Sequence, residues 1–597
     1  MVDERLMNFT FIHRPPHVHR HAVAAAKNRI SAVGKPAPTS DDTTSVNDRS
    51  NETQGWSSRL VWSIPALLAA VYAGLAMSGR LLYQTFDEPR MANLVESVLE
   101  PNDIGCTIVL MQSWLGHVIA GLAAAMPTVR WYALLLLFGS VVALWRMLAT
   151  LQRHGCGSGG LLAAAAVCVL GYTMLEPGFT SCAALLAGAA LLPLVLPGHA
   201  LTTPATRLGE ALLSLLLMAL AVGLRDAAAG LQGAVAGGAF VALRGHQLLP
   251  RGGPARQSLL MLMVAAALAG GLTFVGRHVP ATPEANRFRA YFRRNVEITD
   301  YHRTAYAAAW AEPLGMSPND FTMIRSHFVT DSGPFRYDVL AACPDNAHRA
   351  GLGAAVLSLA RQARPEEWTL LAILVCGCLL RPRLAGALVV ALTLLVWIRW
   401  TCDRMQPRIA MPTLALPALV AVAAASRHRW AGIWSLSWPL IVAAAGGLAV
   451  LSWSARVARY EEFRRDEAIA WDTCAAAGIR PFHWGPSSRS LEMFHRPAGA
   501  EATAIRVGSW ANSHPARLRH IHSLVGADMY AAMVQAGTHH VMTGAGDRNV
   551  METFLREHGP AGLRLTRLLD IPRAMILRID SAPGGGPLGD AAPANSR

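Results

Sequence analysis

The stretch LVWSIPALLAAVYAGLAM, residues Leu60–Met77, is a long apolar run broken only by one serine and one proline. A helix that crosses the hydrocarbon core of a bilayer needs about 20 such residues. The polar segment YQTFDEPR, Tyr83–Arg90, follows this run almost at once. Two adjacent carboxylates, Asp87 and Glu88, are therefore expected just beyond the end of the first membrane helix.

The composition of the whole chain agrees with a membrane helix at this position, because 52% of the residues are hydrophobic and only 15% are charged. Ordinary soluble domains carry about 25% charged residues. Eleven further apolar runs occupy residues 107–126, 129–150, 159–175, 178–197, 207–224, 227–243, 257–276, 366–381, 384–400, 409–425 and 431–453. The sequence therefore predicts a polytopic α-helical membrane protein.

The net charge of +14 comes from arginine, since the only lysines are Lys27 and Lys35. Positive charge in membrane proteins gathers in cytoplasmic loops, so we interpret this excess as a topology signal rather than as a nucleic-acid footprint. If the run 107–126 lies at the outer surface, or enters the membrane and returns to the same side, the arginine-rich turns between the other runs all fall on the cytoplasmic side. This arrangement predicts about eleven crossings, with the N-terminus inside and the C-terminus outside.

The chain divides by composition into a membrane part and flanking segments. Polar residues 1–58 are expected to form a disordered cytoplasmic tail. Short β-type runs near residues 504–507, 539–543, 563–569 and 574–579 alternate with helical patterns near 516–535 and 547–558, which is typical of a small α/β domain. The expected organisation is a tail at 1–58, a membrane domain at 59–455 with outer loops 80–128 and 277–365, an extracytoplasmic α/β domain at 456–580, and a disordered end at 581–597.

Ionisable groups near membrane depth are costly, so each one is a candidate for function. The predicted topology places Asp87, Glu88 and Glu176 on the outer face. Carboxylates in such a place can act as a general base or bind a cation, whereas the plainer alternative is that they hydrate a loop. Arg225 and Asp226 fall at another outer turn, where a local ion pair at a helix end is the alternative.

Arg404 and Arg408 are four residues apart, in the segment TCDRMQPR at residues 401–408. In a helix they would share one face and could bind a phosphate group together. The alternative is that both side chains reach towards lipid headgroups. In the long loop that follows residue 277, Ser317 before Pro318 predicts the start of a helix.

Three short motifs resemble the integral membrane glycosyltransferases of the C-type fold, and in particular a bacterial subgroup of them. The first is the acidic pair in Thr85-Phe86-Asp87-Glu88, directly after the first membrane helix. The second is MPTVRWY at residues 126–132, which is similar to a Pro-x-x-x-Trp-Tyr motif. The third is the pair of loop segments Asn319-Asp320-Phe321 and Phe328-Val329-Thr330-Asp331. The resemblance covers about residues 59–430, with a looser similarity in the C-terminal domain.

This resemblance implies an enzyme of the bacterial inner membrane that moves a sugar from a polyprenyl-phosphate donor to an envelope glycan, lipid or protein. It implies Asp87 or Glu88 as the catalytic base, and we favour Asp87, which comes first after the helix exit. The subgroup often carries two aspartates where this chain has Asp-Glu, so the choice between them stays open. Substrate binding is expected from Arg90, Glu176, Arg404 and Arg408.

Positive charge for the leaving phosphate can come from these arginines or from a divalent metal, Mg²⁺ or Mn²⁺. If a metal takes part, the carboxylates of Asp87, Glu88 and Glu176 are its candidate ligands. The sequence has no P-loop, no GxSxG motif and no zinc-type cysteine spacing, which argues against an ATPase or a serine hydrolase. Two other classes stay open: a transporter or flippase of an anionic lipid-linked substrate, and a non-catalytic envelope assembly factor.

Overall fold

The computed structural model describes most of the chain beyond residue 42. The described ranges are 43–98, 110–196, 204–247, 254–278, 282–326, 335–345, 351–401, 406–426, 437–484, 489–495, 497, 499–507, 514–525, 529–543, 548–559 and 562–580. Contacts divide the chain into two units, Met1–Glu52 and Thr53–Arg597. Only the start of the first helix is described in the smaller unit.

The larger unit is built almost entirely of helices up to residue 476. In chain order the helices are α1 (Thr43–Met77), α2 (Asp87–Asn93), α3 (Ser113–Ala125), α4 (Trp131–Arg153), α5 (Ser158–Gly171), α6 (Phe179–Val195), α7 (Pro204–Arg244), α8 (Pro254–His278), α9 (Pro283–Thr299), α10 (Ala308–Ala311), α11 (Pro318–Arg325), α12 (Tyr337–Ala342), α13 (Leu352–Gln362), α14 (Pro365–Leu380), α15 (Ala385–Thr401), α16 (Pro407–Ala425) and α17 (Gly447–Ala476).

Seven helical stretches of the described chain are long and apolar enough to cross a membrane. Three more apolar helices, α3, α5 and α6, have only 13, 14 and 17 residues. The protein is therefore a polytopic helical membrane protein, as the sequence predicts, and the expected count of about eleven crossings is not confirmed exactly. One reason is that α7 merges two apolar runs across a kink at Arg225, where the backbone leaves helical geometry.

Helix α16 lies at the centre of the bundle, since every residue from Ala410 to Ala425 is buried. Small residues allow the neighbouring helices to approach it closely. A Cβ atom added at Gly171 of α5 would overlap the methyl group of Ala415, and one added at Gly377 of α14 would overlap that of Ala421. Close packing of small residues is a usual means of joining helices in membranes. It holds α16, which begins at Pro407, against α5 and α14.

Two predicted segment boundaries change or lie outside the described residues. Helix α1 begins at Thr43, so residues 43–58 are helical and the predicted tail is at most 42 residues long. Residues 1–42 and 581–597, which were predicted to be disordered, lie outside the described part of the chain. The predicted helix start at Ser317 is confirmed, because its hydroxyl accepts the backbone N–H of Asp320 at 3.0 Å and α11 follows.

The C-terminal part of the chain forms a five-stranded sheet with helices packed against it. The strands are β1 (Phe482–Trp484), β2 (Ile505–Val507), β3 (His539–Thr543), β4 (Arg564–Ile571) and β5 (Ala574–Asp580), in the order β2-β1-β3-β5-β4. Strands β2, β1 and β3 are parallel, and β5 pairs antiparallel with both β3 and β4. Four helices lie between the strands: α18 (Gly499–Thr503), α19 (Pro515–Val525), α20 (Met529–Met533) and α21 (Arg548–His558).

Candidate active site

The first turns of α2 and α16 bring Asp87 and Arg408 together, although these residues are 321 positions apart in the chain. The Arg408 guanidinium donates to Thr85 Oγ1 at 3.0 Å, and each of its terminal nitrogens lies 3.4 Å from Asp87 Oδ2. On the other side, Arg90 Nη1 lies 3.7 Å from Asp87 Oδ1. Two arginines thus flank the carboxylate of Asp87 and hold its charge in place.

Asp87 lines a cavity of about 940 Å³, together with Thr85, Arg90 and Arg408. One quarter of its side chain is exposed, so a carboxylate oxygen can reach a molecule in the cavity. The cavity is rich in other charged side chains, which are Arg225, Asp226, Arg289, Arg293, Glu297, Asp300 and Arg303. A space of this size is typical of a site for a small substrate.

Glu88 points away from this cavity and is completely buried. Its Oε2 accepts hydrogen bonds from the backbone N–H of Thr85 at 2.9 Å and from the Thr85 hydroxyl. Among the described residues its Oε1 has no hydrogen-bond partner. Only glycine fits at position 178, because a Cβ there would lie 2.6 Å from Glu88 Oε1 and 2.6 Å from Gln84 Oε1. The two adjacent carboxylates therefore have different surroundings, and only Asp87 faces the cavity.

Burial raises the pKa of Glu88 to about 7, against the attraction of Arg408 for the charged form. The folded protein then keeps a proton on Glu88 between pH 4.5 and 7, where the unfolded chain has already lost it. Stability should fall as pH rises through this window, with about 1.4 kcal/mol for each unit of pKa shift. We expect Glu88→Gln to lack this part of the decline when thermal unfolding is measured from pH 4.5 to 8. Identical pH profiles in wild type and variant would contradict the assignment.

Glu176 lies in the turn before α6 and forms an ion pair with Arg456 of α17. The same guanidinium donates to the carbonyl of Tyr83 at 2.9 Å and to that of Gln84. Arg456 therefore fastens the segment before Asp87 to α17. Glu176 does not line the cavity of Asp87; it lines a second cavity of about 540 Å³. Burial raises the pKa of Glu176, and Arg456 opposes that shift.

These contacts predict a stability effect for Glu176→Gln. The amide cannot pair with the charge of Arg456, and hydrogen bonds to charged groups contribute about 1.5–3 kcal/mol each. We expect a lower midpoint of thermal unfolding in detergent. The matched control is Glu284→Gln, since Glu284 is 72% exposed and lies 3.8 Å from Arg519. Equal unfolding midpoints for Glu176→Gln and wild type would leave Glu176 without this structural role.

The C-terminal domain also contacts the segment before Asp87 directly. The backbone N–H of Tyr83 donates to the carbonyl of Leu491 at 2.7 Å, and that of Met493 donates to the carbonyl of Leu81 at 3.0 Å. Arg130, just before α4, donates to the carbonyl of His495 at 2.9 Å. Two backbone hydrogen bonds therefore join residues 81–83 to residues 491–493, shortly before α2 begins.

The remaining predicted residues have separate outcomes. Arg404 and the motif at residues 328–331 lie outside the described part of the chain. Asp87, Glu88 and Glu176 do not form a metal-ligand group in the structure. In the described ranges, the group of carboxylates and histidines close enough to hold an ion consists of Asp320, Glu557 and His558. Asp320 already accepts from the backbone N–H of Ser317 at 3.0 Å and contacts His558 Nε2 at 2.8 Å.

Three contributors were not recognised in the sequence as part of the site. Thr85 is noted there only as a neighbour of the acidic pair, yet its hydroxyl contacts both Glu88 and Arg408. Arg225 is a candidate there for its place at an outer turn, with a local ion pair as the alternative, and its guanidinium lies over the ring of Phe179. Arg456 carries no signal in the sequence, because the carbonyls that it binds are more than 370 residues away.

No protein-family model and no curated protein matches the chain. Two solved structures are similar to it. One is ArnT from Cupriavidus metallidurans bound to undecaprenyl phosphate, with 14% identity over 89% of this chain and 99% of that one and a TM-score of 0.47. The other is ArnT in the apo state, with 12% identity over 87% and 98% and a TM-score of 0.49.

Proposed function

We propose that this protein is a membrane glycosyltransferase that uses a polyprenyl-phosphate sugar as donor. The observation that carries the proposal is the position of Asp87, which is held by Arg408 and Arg90 at the edge of a cavity of about 940 Å³. A carboxylate that faces a cavity can take a proton, and guanidinium groups beside it can stabilise a leaving phosphate. The acceptor is an envelope glycan, lipid or protein on the extracytoplasmic face.

The two cavities share Thr85, Gln406 and Arg408 in their walls. The smaller cavity has an apolar wall that includes Leu170 and Met411, and arginines at positions 364, 456 and 459. Apolar surface beside positive charge suits a lipid that carries a phosphate. We therefore place the donor so that its phosphate reaches Arg408, where both cavities meet, and the acceptor hydroxyl beside Asp87.

The transfer is a single displacement at the anomeric carbon. The acceptor oxygen forms a bond to that carbon while its proton moves to a carboxylate oxygen of Asp87. The bond between the anomeric carbon and the phosphate oxygen breaks, and polyprenyl phosphate leaves with the electron pair. Arg408 stabilises the charge that develops on the leaving phosphate. The configuration at the anomeric carbon is inverted.

A loss-of-function experiment tests this proposal against a flippase. Membranes from a deletion strain, complemented with wild type or an empty vector, are supplied with extracted polyprenyl-phosphate sugars. The transferase releases polyprenyl phosphate and adds sugar to an acceptor, both of which mass spectrometry detects. Translocation of the intact donor without release of polyprenyl phosphate would support a flippase. No difference in either product between the strains would leave the assembly-factor class as the better account.

A further inference from the structure

Arg225 is set apart from the other arginines by its backbone and by its partners. It lies at the kink of α7 with φ −161° and ψ 99°, which is extended backbone inside a 41-residue helical element. Its guanidinium lines the larger cavity and lies 5.5 Å from the centre of the Phe179 ring. Within the described ranges, the structure shows no hydrogen bond or salt bridge to this guanidinium. The charges of Asp226 and Asp87 attract it, and that of Arg408 repels it.

Arg408 shares the same aromatic ring, with its Cζ atom 5.9 Å from the ring centre. Phe179 is the first residue of α6 and is buried, so its position is fixed by packing. A ring face attracts cations, but two guanidiniums at one ring repel each other. Asp87 takes up part of the charge of Arg408. The nearby Asp226 accepts from its neighbouring backbone N–H at 2.7 Å. The cavity walls hold six arginines against four carboxylates, so positive charge remains in excess beside the two guanidiniums. Arg225 has N–H donors with no acceptor among the described residues.

An anion with several oxygen acceptors fits this arrangement. A guanidinium presents five N–H donors in a rigid fork that matches phosphate geometry. A carboxylate has two oxygens and one charge, whereas a phosphate monoester has three free oxygens and up to two charges. Phosphate can therefore accept from both guanidiniums at once and cancel their repulsion.

We propose that Arg225 and Arg408, held at the ring of Phe179, form a binding site for a phosphate group. Under the proposed function that group is the phosphate of the polyprenyl lipid, and this identification rests on the proposed function. Arg404, the other half of the pair predicted from the sequence, lies outside the described residues, so its part in phosphate binding stays a prediction. The backbone of α7 leaves helical geometry at Arg225, and the Arg225 side chain lines the cavity.

The test compares binding of polyprenyl phosphate, the matching neutral polyprenol and inorganic phosphate to the purified full-length protein in nanodiscs. We expect Arg225→Gln to weaken binding of polyprenyl phosphate by about 10- to 100-fold and to leave polyprenol binding unchanged. Arg225→Lys should lose less, since a point charge keeps attraction but not the fork. Inorganic phosphate should bind more weakly than the lipid, and equal affinity for both would overturn the assignment to a lipid phosphate.

The control is Arg80→Gln, because Arg80 is about half exposed, pairs with Glu461 and lines neither cavity. It should bind all three probes as wild type does. If Arg225→Gln does not fold, Phe179→Leu provides a second test, with an expected loss of a few-fold for the phosphate lipid alone. Wild-type affinity in Arg225→Gln, or an equal loss for polyprenol, would overturn the site. Because these assays need no turnover, normal phosphate binding without any glycan transfer would refute the proposed function and leave this site intact.

Discussion

Asp87→Asn should abolish sugar transfer while the protein still folds and enters the membrane. The amide keeps the size of the side chain and can still lie beside Arg408 and Arg90, but it cannot take a proton from the acceptor. Positioned general bases contribute about 10²- to 10⁴-fold to rate, so the loss should be of this order. The measurement is glycan profiling by mass spectrometry in a deletion strain that carries each variant, with protein levels checked by immunoblot.

Two comparisons make this result specific to the base. Asp338→Asn is the matched control, since Asp338 is 67% exposed and pairs with Arg336 on the surface. It should give wild-type glycans. Glu88→Gln should reduce transfer less than Asp87→Asn, because Glu88 does not line the cavity. Wild-type glycans in Asp87→Asn at wild-type protein levels would show that another group accepts the proton.

Arg408→Ala should cause the second large loss of activity. Arg408 contacts the Thr85 hydroxyl and the Asp87 carboxylate, and in the proposed mechanism it also meets the leaving phosphate. Removing one partner of a buried charge pair typically costs about 2–5 kcal/mol. Arg408→Lys should restore activity only in part. An ammonium group lacks the planar fork with which a guanidinium can contact Thr85, Asp87 and phosphate together. The rate of polyprenyl phosphate release by purified variants measures both effects.

A double variant that combines Arg408→Ala with Asp87→Asn separates two explanations of the activity lost in Arg408→Ala. If Arg408 acts only by placing Asp87, the double variant should be no slower than Asp87→Asn. If Arg408 also stabilises the leaving phosphate, the double variant should lose further rate. Full activity in both Arg408 variants would reduce this residue to an anchor at the membrane surface.

The sequence predicts the membrane helices well. In a chain with 15% charged residues, an apolar run of sufficient length has few alternatives to a membrane-spanning helix. Their number is harder to predict, since a kinked helix such as α7 and short helices such as α5 break the relation between one run and one crossing. In the C-terminal domain, the predicted strands at β2, β3, β4 and β5 agree with the structure. Strand β1, Phe482–Trp484, was not predicted.

At the candidate site, the sequence likewise identifies single residues but not the contacts between distant segments. Asp87 and Arg408 each stand out alone, as a charge beside a membrane helix, and the structure places them in contact. Their convergence cannot be read from spacing, because it depends on how α16 packs at the centre of the bundle. The different surroundings of Asp87 and Glu88 depend on Gly178, a residue that carries no chemical signal of its own. Contacts between distant segments thus separate two carboxylates that look equivalent in the sequence.

The most direct measurement of the central claim is a cryo-EM structure of the protein in nanodiscs with polyprenyl phosphate. The account predicts density for the phosphate in the larger cavity, within hydrogen-bond distance of Arg408 and on the side of Asp87 that is open to the cavity. The lipid chain should leave through the smaller cavity, along Leu170 and Met411. Phosphate density away from Arg408, with the cavity at Asp87 empty at saturating lipid, would contradict the account.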